Sequence, residues 1–208
     1  LDTPYDTPKN RDKGGIIEDF HTALKIHPDM VRSYFGKTVA VMDMSEIAKD
    51  MHSTDSTHSK QAISEHAQEP QGFGSVVLDK FTALHYAFWT HGVFVYVPKG
   101  KEIELPQKIL QKMTQGVLMD HVLLVAEPNS RLDFVESTES EPLEGIPFRN
   151  QVAEVFVAEN AHVNYGSIQR LGKNVFNFSF NKGIVGKDAT LNWLDCCLGS
   201  RFSKVDVT

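Results

Sequence analysis

The hydrophobic positions change their period along the chain. Up to about residue 41, Ile16, Ile17, Phe20 and Leu24 fall near one face of a helix that should end by Pro28. Proline is favoured in a first helical turn, so a second short helix should carry Met30, Val31, Tyr34 and Phe35 to a stop at Gly36. Residues 42–75 are polar and rich in Ser, Thr, His, Gln and Glu. Two helical turns fit at residues 44–51, and the remainder reads as a solvated connector. From residue 76 the pattern differs in kind. FTALHYAF at 81–88 predicts a short apolar helix. Strictly alternating runs follow, such as VFVYV at 93–97 and HVLLV at 121–125, separated by Gly-, Pro- and Asn-rich turns. The expected organisation is a helical region over 1–41, a connector over 42–75 and a β core over 76–208.

An internal repeat decides the architecture of that core. VAEPNSRLDF begins at Val125, VAENAHVNY at Val157 and VGKDATLNW at Val185, at intervals of 32 and 28 residues. Each copy has a valine closing one strand, a polar turn with Asn or Asp, and an aliphatic–Asn/Asp–aromatic triplet opening the next. Intervals of this length are those of solenoid repeats. Period-two geometry puts Leu132 with Phe134, Val163 with Tyr165 and Leu191 with Trp193 on one face. Asp133, Asn164 and Asn192 then share the other. Stacked coils turn these positions into interior and exterior ladders about 4.8 Å apart. The predicted fold is mainly β: a parallel β-helix behind a small helical N-terminal region, which can cover one end of it.

Composition narrows the function classes. The chain has 208 residues, with 27 acidic against 21 basic side chains and a formal net charge of -6. That balance argues against a nucleic-acid binder, whose affinity depends on neutralising phosphates. No apolar run approaches the roughly 20 residues that cross a bilayer, and no signal segment opens the chain. The start at Leu1 and the stop at Thr208, inside an alternating run, create the expectation of a chain cut at both ends.

Cys196 and Cys197 are the only two cysteines and are adjacent. Their Cα atoms, about 3.8 Å apart, are too close for a relaxed disulfide. Thiols in a reducing cytoplasm are therefore expected. As soft ligands they suit iron or an iron–sulfur cluster. Neighbours on a strand point to opposite faces, so one interior metal takes both only through a bulge. Buried, inert thiols are the simpler reading. His52, His58 and His66, with Asp55, match no metal-ligand spacing. His85, His91, His121 and His162 share no spacing and read as hydrogen-bonded structural residues. Glu136, Glu139, Glu141 and Glu144 read as the solvated face of a loop.

Several runs resemble the SufB/SufD family of iron–sulfur cluster assembly scaffolds. They are HPDMVRSYFG at 27–36, FTAL at 81–84, HGVFVYVPKG at 91–100 followed by ELP at 104–106, and the segment 150–193 with YGSIQ at 165–169 and Asn177-Phe178 inside it. The resemblance covers most of the chain outside the connector, and GVFVYVPKG is its most specific part. It implies a right-handed parallel β-helix behind a helical N-terminal domain, in agreement with the repeat. It also implies a non-enzymatic, cytoplasmic scaffold that works with the ABC-type ATPase SufC and a SufB homologue, or with itself as a dimer. An iron–sulfur cluster would then be held transiently in the assembled complex. The family's principal cluster ligands and its SufC-docking segment fall beyond Thr208.

SufB carries a polar interior route for sulfur made of a cysteine, a Gln, an aromatic residue and a lysine. Aligned on this chain, the cysteine position falls at Thr138 or Ser137 and the Gln at Gln169. The aromatic position falls at Leu171, and the lysine position at Asn181 beside Lys182. A hydroxyl does not accept persulfide sulfur as a thiolate does, which favours a SufD-like chain. Gln169 and Lys182 are the candidates for a polar interior path, with solvent-facing or turn-stabilising roles as the alternative. Two other readings compete. One is a β-helix carbohydrate-active enzyme, for which the chain offers little beyond Asp133, Arg170 and Lys187. The other is a protein-interaction module without cluster chemistry.

Overall fold

The computed structural model describes residues 15–38, 80–103 and 105–208. The 42–75 connector, the helical turns expected at 44–51, and His52, Asp55, His58 and His66 lie outside these. Strand β1 (Ile16–Asp19) opens the described chain, followed by helices α1 (Phe20–Ile26), α2 (Pro28–Tyr34) and α3 (Lys80–Phe88). Ile16 and Ile17, expected on a helix, are therefore in a strand. These β-branched residues pair antiparallel with Tyr96 and Val95. The helix starts only at Phe20, where the Asp19 carboxylate caps it by accepting from Thr22 N at 3.0 Å. The second helix begins at Pro28 as expected, and the chain leaves it through Gly36 at φ +74°.

Nine strands then wind into a β-solenoid of about four turns. They are β2 (His91–Val97), β3 (Gln107–Lys112), β4 (Val117–Ala126), β5 (Arg131–Glu139), β6 (Phe148–Val157), β7 (His162–Arg170), β8 (Phe176–Val185), β9 (Thr190–Cys197) and β10 (Phe202–Val207). Odd and even strands separate into two sheets. One has the order β1-β2-β4-β6-β8-β10 and the other β3-β5-β7-β9, with every pair parallel except β1–β2.

The repeat copies stack in register. Leu132, Val163 and Leu191 form one interior row, and Phe134, Tyr165 and Trp193 the next. Tyr165 and Trp193 stack with ring centroids 4.2 Å apart. Outside, Asn164 donates to Asp133 at 2.6 Å and Asn192 donates to Asn164 at 2.8 Å. The preceding turns stack too: Asn129, Asn160 and Asp188 all adopt left-handed φ of 55–60°, where Asn and Asp are the side chains most readily tolerated.

The N-terminal helices do not cover an end of the solenoid. They pack on the outer face of the larger sheet, where Phe20, Ala23 and Val31 bury against Phe94, Leu123 and Val125. The terminal edge of that sheet is covered by β1 instead. A buried hydrogen-bond chain fixes the helices in place. Glu154 accepts from Gly36 N at 2.7 Å and from Thr38 N and Oγ1 at 3.0 and 2.6 Å. Its other contact is His121 Nε2 at 3.1 Å, and His121 Nδ1 lies 3.0 Å from His85 Nε2. His85 Nδ1 in turn faces the Asn150 carbonyl at 3.3 Å. The Glu154 carboxylate and the Asn150 carbonyl only accept, so His121 Nε2 and His85 Nδ1 are the donors to them.

Burial and repulsion from His121 lower the His85 pKa from 6.5 to about 3. For Glu154, burial raises the pKa, but His121, Thr38 and Gly36 outweigh it and the net shift is downward. Between pH 6.5 and 3 the unfolded chain protonates His85 while the folded chain does not. The unfolded state then binds more protons, so stability falls as pH drops through that window, by up to about 1.4 kcal/mol per pH unit from this group. Glu154 adds loss in the same direction at the acid end. Urea unfolding at a series of pH values should show this slope, and His85→Gln should flatten it while lowering stability at pH 7.

Candidate functional site: a polar column inside the solenoid

The solenoid interior is apolar along one side and polar along the other. Val93, Val95, Val122, Leu124, Val155, Leu132 and Val163 fill the first part. Toward the starts of β4 and β6, and toward the ends of β5 and β7, most of the inward positions become polar. In the larger sheet they form the rows Leu118–Arg149–Asn177–Ser203 and Asp120–Gln151–Ser179–Val205. In the smaller sheet the rows are Ile109–Glu136–Ser167–Asp195 and Gln111–Thr138–Gln169–Cys197.

Arg149 is the centre of this column. It is 2% exposed and donates Nε and Nη2 to the two carboxylate oxygens of Asp120 at 3.1 and 2.7 Å, a bidentate pair. Its Nη1 reaches Asn177 Oδ1 at 3.3 Å. Asn177 passes the chain across the interior, donating to Gln169 Oε1 at 2.6 Å and to Ser203 Oγ at 2.9 Å. A second branch begins at Gln151, whose Nε2 lies 2.7 and 2.8 Å from the two Glu136 oxygens. Gln151 Oε1 accepts from Ser179 at 2.9 Å, and Ser179 is 3.1 Å from Asn181 Oδ1. Burial pushes the Glu136 carboxyl above its usual range, and the Arg149 charge only partly opposes this. Burial likewise raises Asp195, against Ser167, Asn181 and Trp193.

The predicted residues divide between the faces of the coil. Gln169 is inside and 3% exposed; its Nε2 has no hydrogen-bond partner among the described residues. Thr138, its register neighbour, is inside and donates to Gln111 Oε1 at 3.3 Å, whereas Ser137 points outward. Lys182 does not join the column. It lies on the outer face in register with Glu154, where burial lowers its pKa against the attraction of that carboxylate.

Cys196 and Cys197 are free thiols on opposite faces. The expectation of buried thiols fails, because Cys196 is half-buried and Cys197 exposed. Cys197 continues the Gln169 row and lies 3.9 Å from the Ser203 hydroxyl. Glu136 also departs from expectation. Strand β5 runs on through Glu139, so Glu136 follows Leu132 and Phe134 into the interior instead of facing solvent in a loop. Asp133, Arg170 and Lys187 do not converge: Asp133 is in the exterior Asn ladder, Arg170 pairs with Glu139 at 2.9 Å, and Lys187 lies beside Asp188 at 3.9 Å.

Sequence reasoning missed Arg149, Asp120, Gln151 and Ser179. The signal was available: Arg149 and Gln151 are in phase with Ala153, Val155 and Val157, the inward positions of one strand. Among the described residues, no three His, Cys, Asp or Glu are grouped to hold a metal ion.

Fold and site together define a parallel β-solenoid whose charged and amide side chains are gathered inside the coil. Residues 109–208 match the family described as "SUF system FeS cluster assembly, SufBD core domain". A protein of Bacillus subtilis named iron–sulfur cluster assembly protein SufD is 30% identical over 186 residues, covering 88% of this chain and 35% of that protein. SufBD family proteins of Staphylococcus saprophyticus and Staphylococcus aureus are 24% and 23% identical over 194 residues, 92% of this chain and 34% of theirs. The chain thus spans about a third of the length of these relatives. Residues 109–208 thus carry the SufBD core domain of iron–sulfur cluster assembly proteins.

Removing one member of a buried charge pair leaves the other uncompensated, at a cost of about 3–5 kcal/mol. Asp120→Ala should lower the unfolding free energy by that amount in urea titrations. Glu139→Ala breaks a solvent-exposed pair with Arg170 and should cost no more than about 1 kcal/mol.

Proposed function

We propose that this chain is part of a SufD-like scaffold subunit of a SUF-type assembly complex. The subunit works with a SufC-type ABC ATPase and a SufB-type homologue, or with a second copy of itself. The nascent iron–sulfur cluster is cargo of the assembled complex and not a resident cofactor of this segment. The subunit acts by holding shape and partners and performs no catalysis of its own. Residues 1–41 and 42–75 serve as its N-terminal region and connector, and 76–208 as its solenoid core. The two free thiols fit a reducing compartment, the cytoplasm. Among the described residues, no helix is long and apolar enough to cross a membrane.

One observation carries the SufD-like reading. Thr138 is the interior register neighbour of Gln169, at the position where the SufB pattern places its cysteine. A threonine hydroxyl is not ionised near neutral pH and forms no persulfide, so sulfur cannot be handed to it as to a thiolate. Gln169 then serves this chain as a bridge between Asn177 and Ser203, within a structural network. Cys197, in the same row, remains the candidate cluster contact, with Cys196 outside it.

The full-length protein should co-purify with its SufC-type ATPase and SufB-type homologue under anaerobic, nucleotide-containing conditions; absence of any complex would refute the assignment. In such a complex, a Cys196→Ser/Cys197→Ser double variant that assembles clusters at the normal rate would remove these thiols from the chemistry. If Cys197 contacts the cluster, that rate should fall while the complex stays intact.

A further inference from the structure

The protein buries two glutamates in opposite surroundings. Glu154, on the outer face of the larger sheet, accepts from Gly36 N, Thr38 N and Thr38 Oγ1 and also meets His121 Nε2. Glu136 is inside the coil and 3% exposed, on a strand flanked by β3 and β7. Both of its oxygens face a single nitrogen, Gln151 Nε2, at 2.7 and 2.8 Å. An amide nitrogen that straddles the two oxygens of one carboxyl directs one N–H between them. Arg149 does not make up the difference. Its Nε and Nη2 grip Asp120 and its Nη1 is turned to Asn177, so its charge is already matched by one carboxylate. The Tyr165 hydroxyl stands near Glu136 but outside hydrogen-bonding geometry. A closed interior tolerates a carboxylate only where several donors or an opposite charge replace its water.

We infer that Glu136 is a proton-binding site of the coil interior, carried as the neutral acid at pH 7 and coupled through Arg149 to Asn177. The neighbouring hydrogen bonds fit that proton. With the Gln151 amide turned over, Glu136 O–H donates to Gln151 Oε1, Gln151 Nε2 donates to Ser179 Oγ, and Ser179 O–H donates to Asn181 Oδ1. The single hydroxyl proton of Ser179 then serves Asn181 alone. Beside an ionised Glu136 it faces two acceptors, Gln151 Oε1 at 2.9 Å and Asn181 Oδ1 at 3.1 Å. The charged and titratable groups around Glu136 are Asp120 of β4, Arg149 of β6, Tyr165 of β7 and, two strands farther along its own row, Asp195 of β9. Burial disfavours the ionised form most, the Arg149 charge opposes burial, and the Asp120 charge adds to it. β3 presents Ile109 in the same row, and β8 presents Asn177, Ser179 and Asn181, none of them titratable. Loss of the proton leaves two carboxylates competing for one guanidinium. The contact of Arg149 with Asn177, at 3.3 Å, is the longest of its three and yields first, and with it the bridge from Asn177 to Gln169.

The test uses the full-length protein with carbon-13 in its glutamate carboxyls. Infrared spectra at pH 7 should show the C=O stretch of a protonated carboxyl that shifts with the label and fades reversibly on alkaline titration of the folded protein. This readout needs no variant to fold, and absence of a label-sensitive band at pH 7 overturns the inference. Glu136→Gln should remove the band; a band that survives this substitution belongs to another glutamate and overturns it too. Stability gives a second reading. Above pH 4.5, the ordinary value for this side chain, the unfolded chain releases the Glu136 proton while the folded chain keeps it. The folded state then binds more protons, so the contribution of this group falls as pH rises. Between pH 4.5 and 7, the unfolding constant of the unsubstituted protein relative to Glu136→Gln should rise about tenfold per pH unit, since His85 and Glu154 are common to both. A ratio that stays flat overturns the inference. Above the midpoint of the band's loss, amide exchange in β6 and β8 should quicken in the unsubstituted protein relative to Glu136→Gln, and equal rates in the two overturn the coupling to Arg149. None of these outcomes depends on whether a SufC-type partner binds.

Discussion

A parallel solenoid places no interior side chain independently of its neighbours. Each inward residue sits about 4.8 Å from the same position on the coil before and after it. A charge admitted at one level must therefore find its partner within one or two coils, or remain unsolvated. Arg149 states this constraint most sharply. Its guanidinium, on β6, is answered by Asp120 on one neighbouring strand and Asn177 on the other. Asn177 is in turn held by Gln169 and Ser203 across the interior. The polar column is thus a consequence of register: slipping a strand by one residue would turn Arg149 to the outer face and bring Phe148 or Asn150 inside.

The same constraint explains where hydrophobicity misleads. Strand β8 reads Phe-Asn-Phe-Ser-Phe-Asn from Phe176, an alternation that is easily recognised as a strand. Habit would bury the aromatic set and expose the polar one. The structure does the opposite, because Asn177, Ser179 and Asn181 must meet Arg149, Gln151 and their partners across the coil. The aromatic residues are left on the outer face, where Phe178 stacks on Phe81 at 4.1 Å. Period alone says that a strand has two faces; which one is inside depends on neighbouring coils some 28–32 residues away.

The core of the fold was legible where the repeat was strong. Leu132, Val163 and Leu191 stack as the alignment of the copies requires, with the Asn ladder behind them. Glu136 was misread for want of one further step along β5, since a charged residue near others suggests a loop. The clamp of His85, His121 and Glu154 was invisible for another reason. Its members come from a helix and two separate strands, 33 and 36 residues apart along the chain, and no local spacing marks them. The strand at Ile16–Asp19 was read as helix because two β-branched residues adjoin a genuine helical stripe. Only pairing with β2 separates the two.

The row Gln111–Thr138–Gln169–Cys197 carries the last step. Along it, amide and hydroxyl groups alternate for three coils before a thiol is reached. Amides and hydroxyls exchange hydrogen bonds, but only a thiolate attacks sulfur and carries it as a persulfide. Among the described residues this row holds one thiol, Cys197. Its polar residues are then best understood by what they do for the coil. Thr138 donates to Gln111, and Gln169 accepts from Asn177, the amide that also faces Arg149. A solenoid can thus retain a polar interior because its register holds each charge beside a partner one coil away, as Arg149 is held beside Asp120.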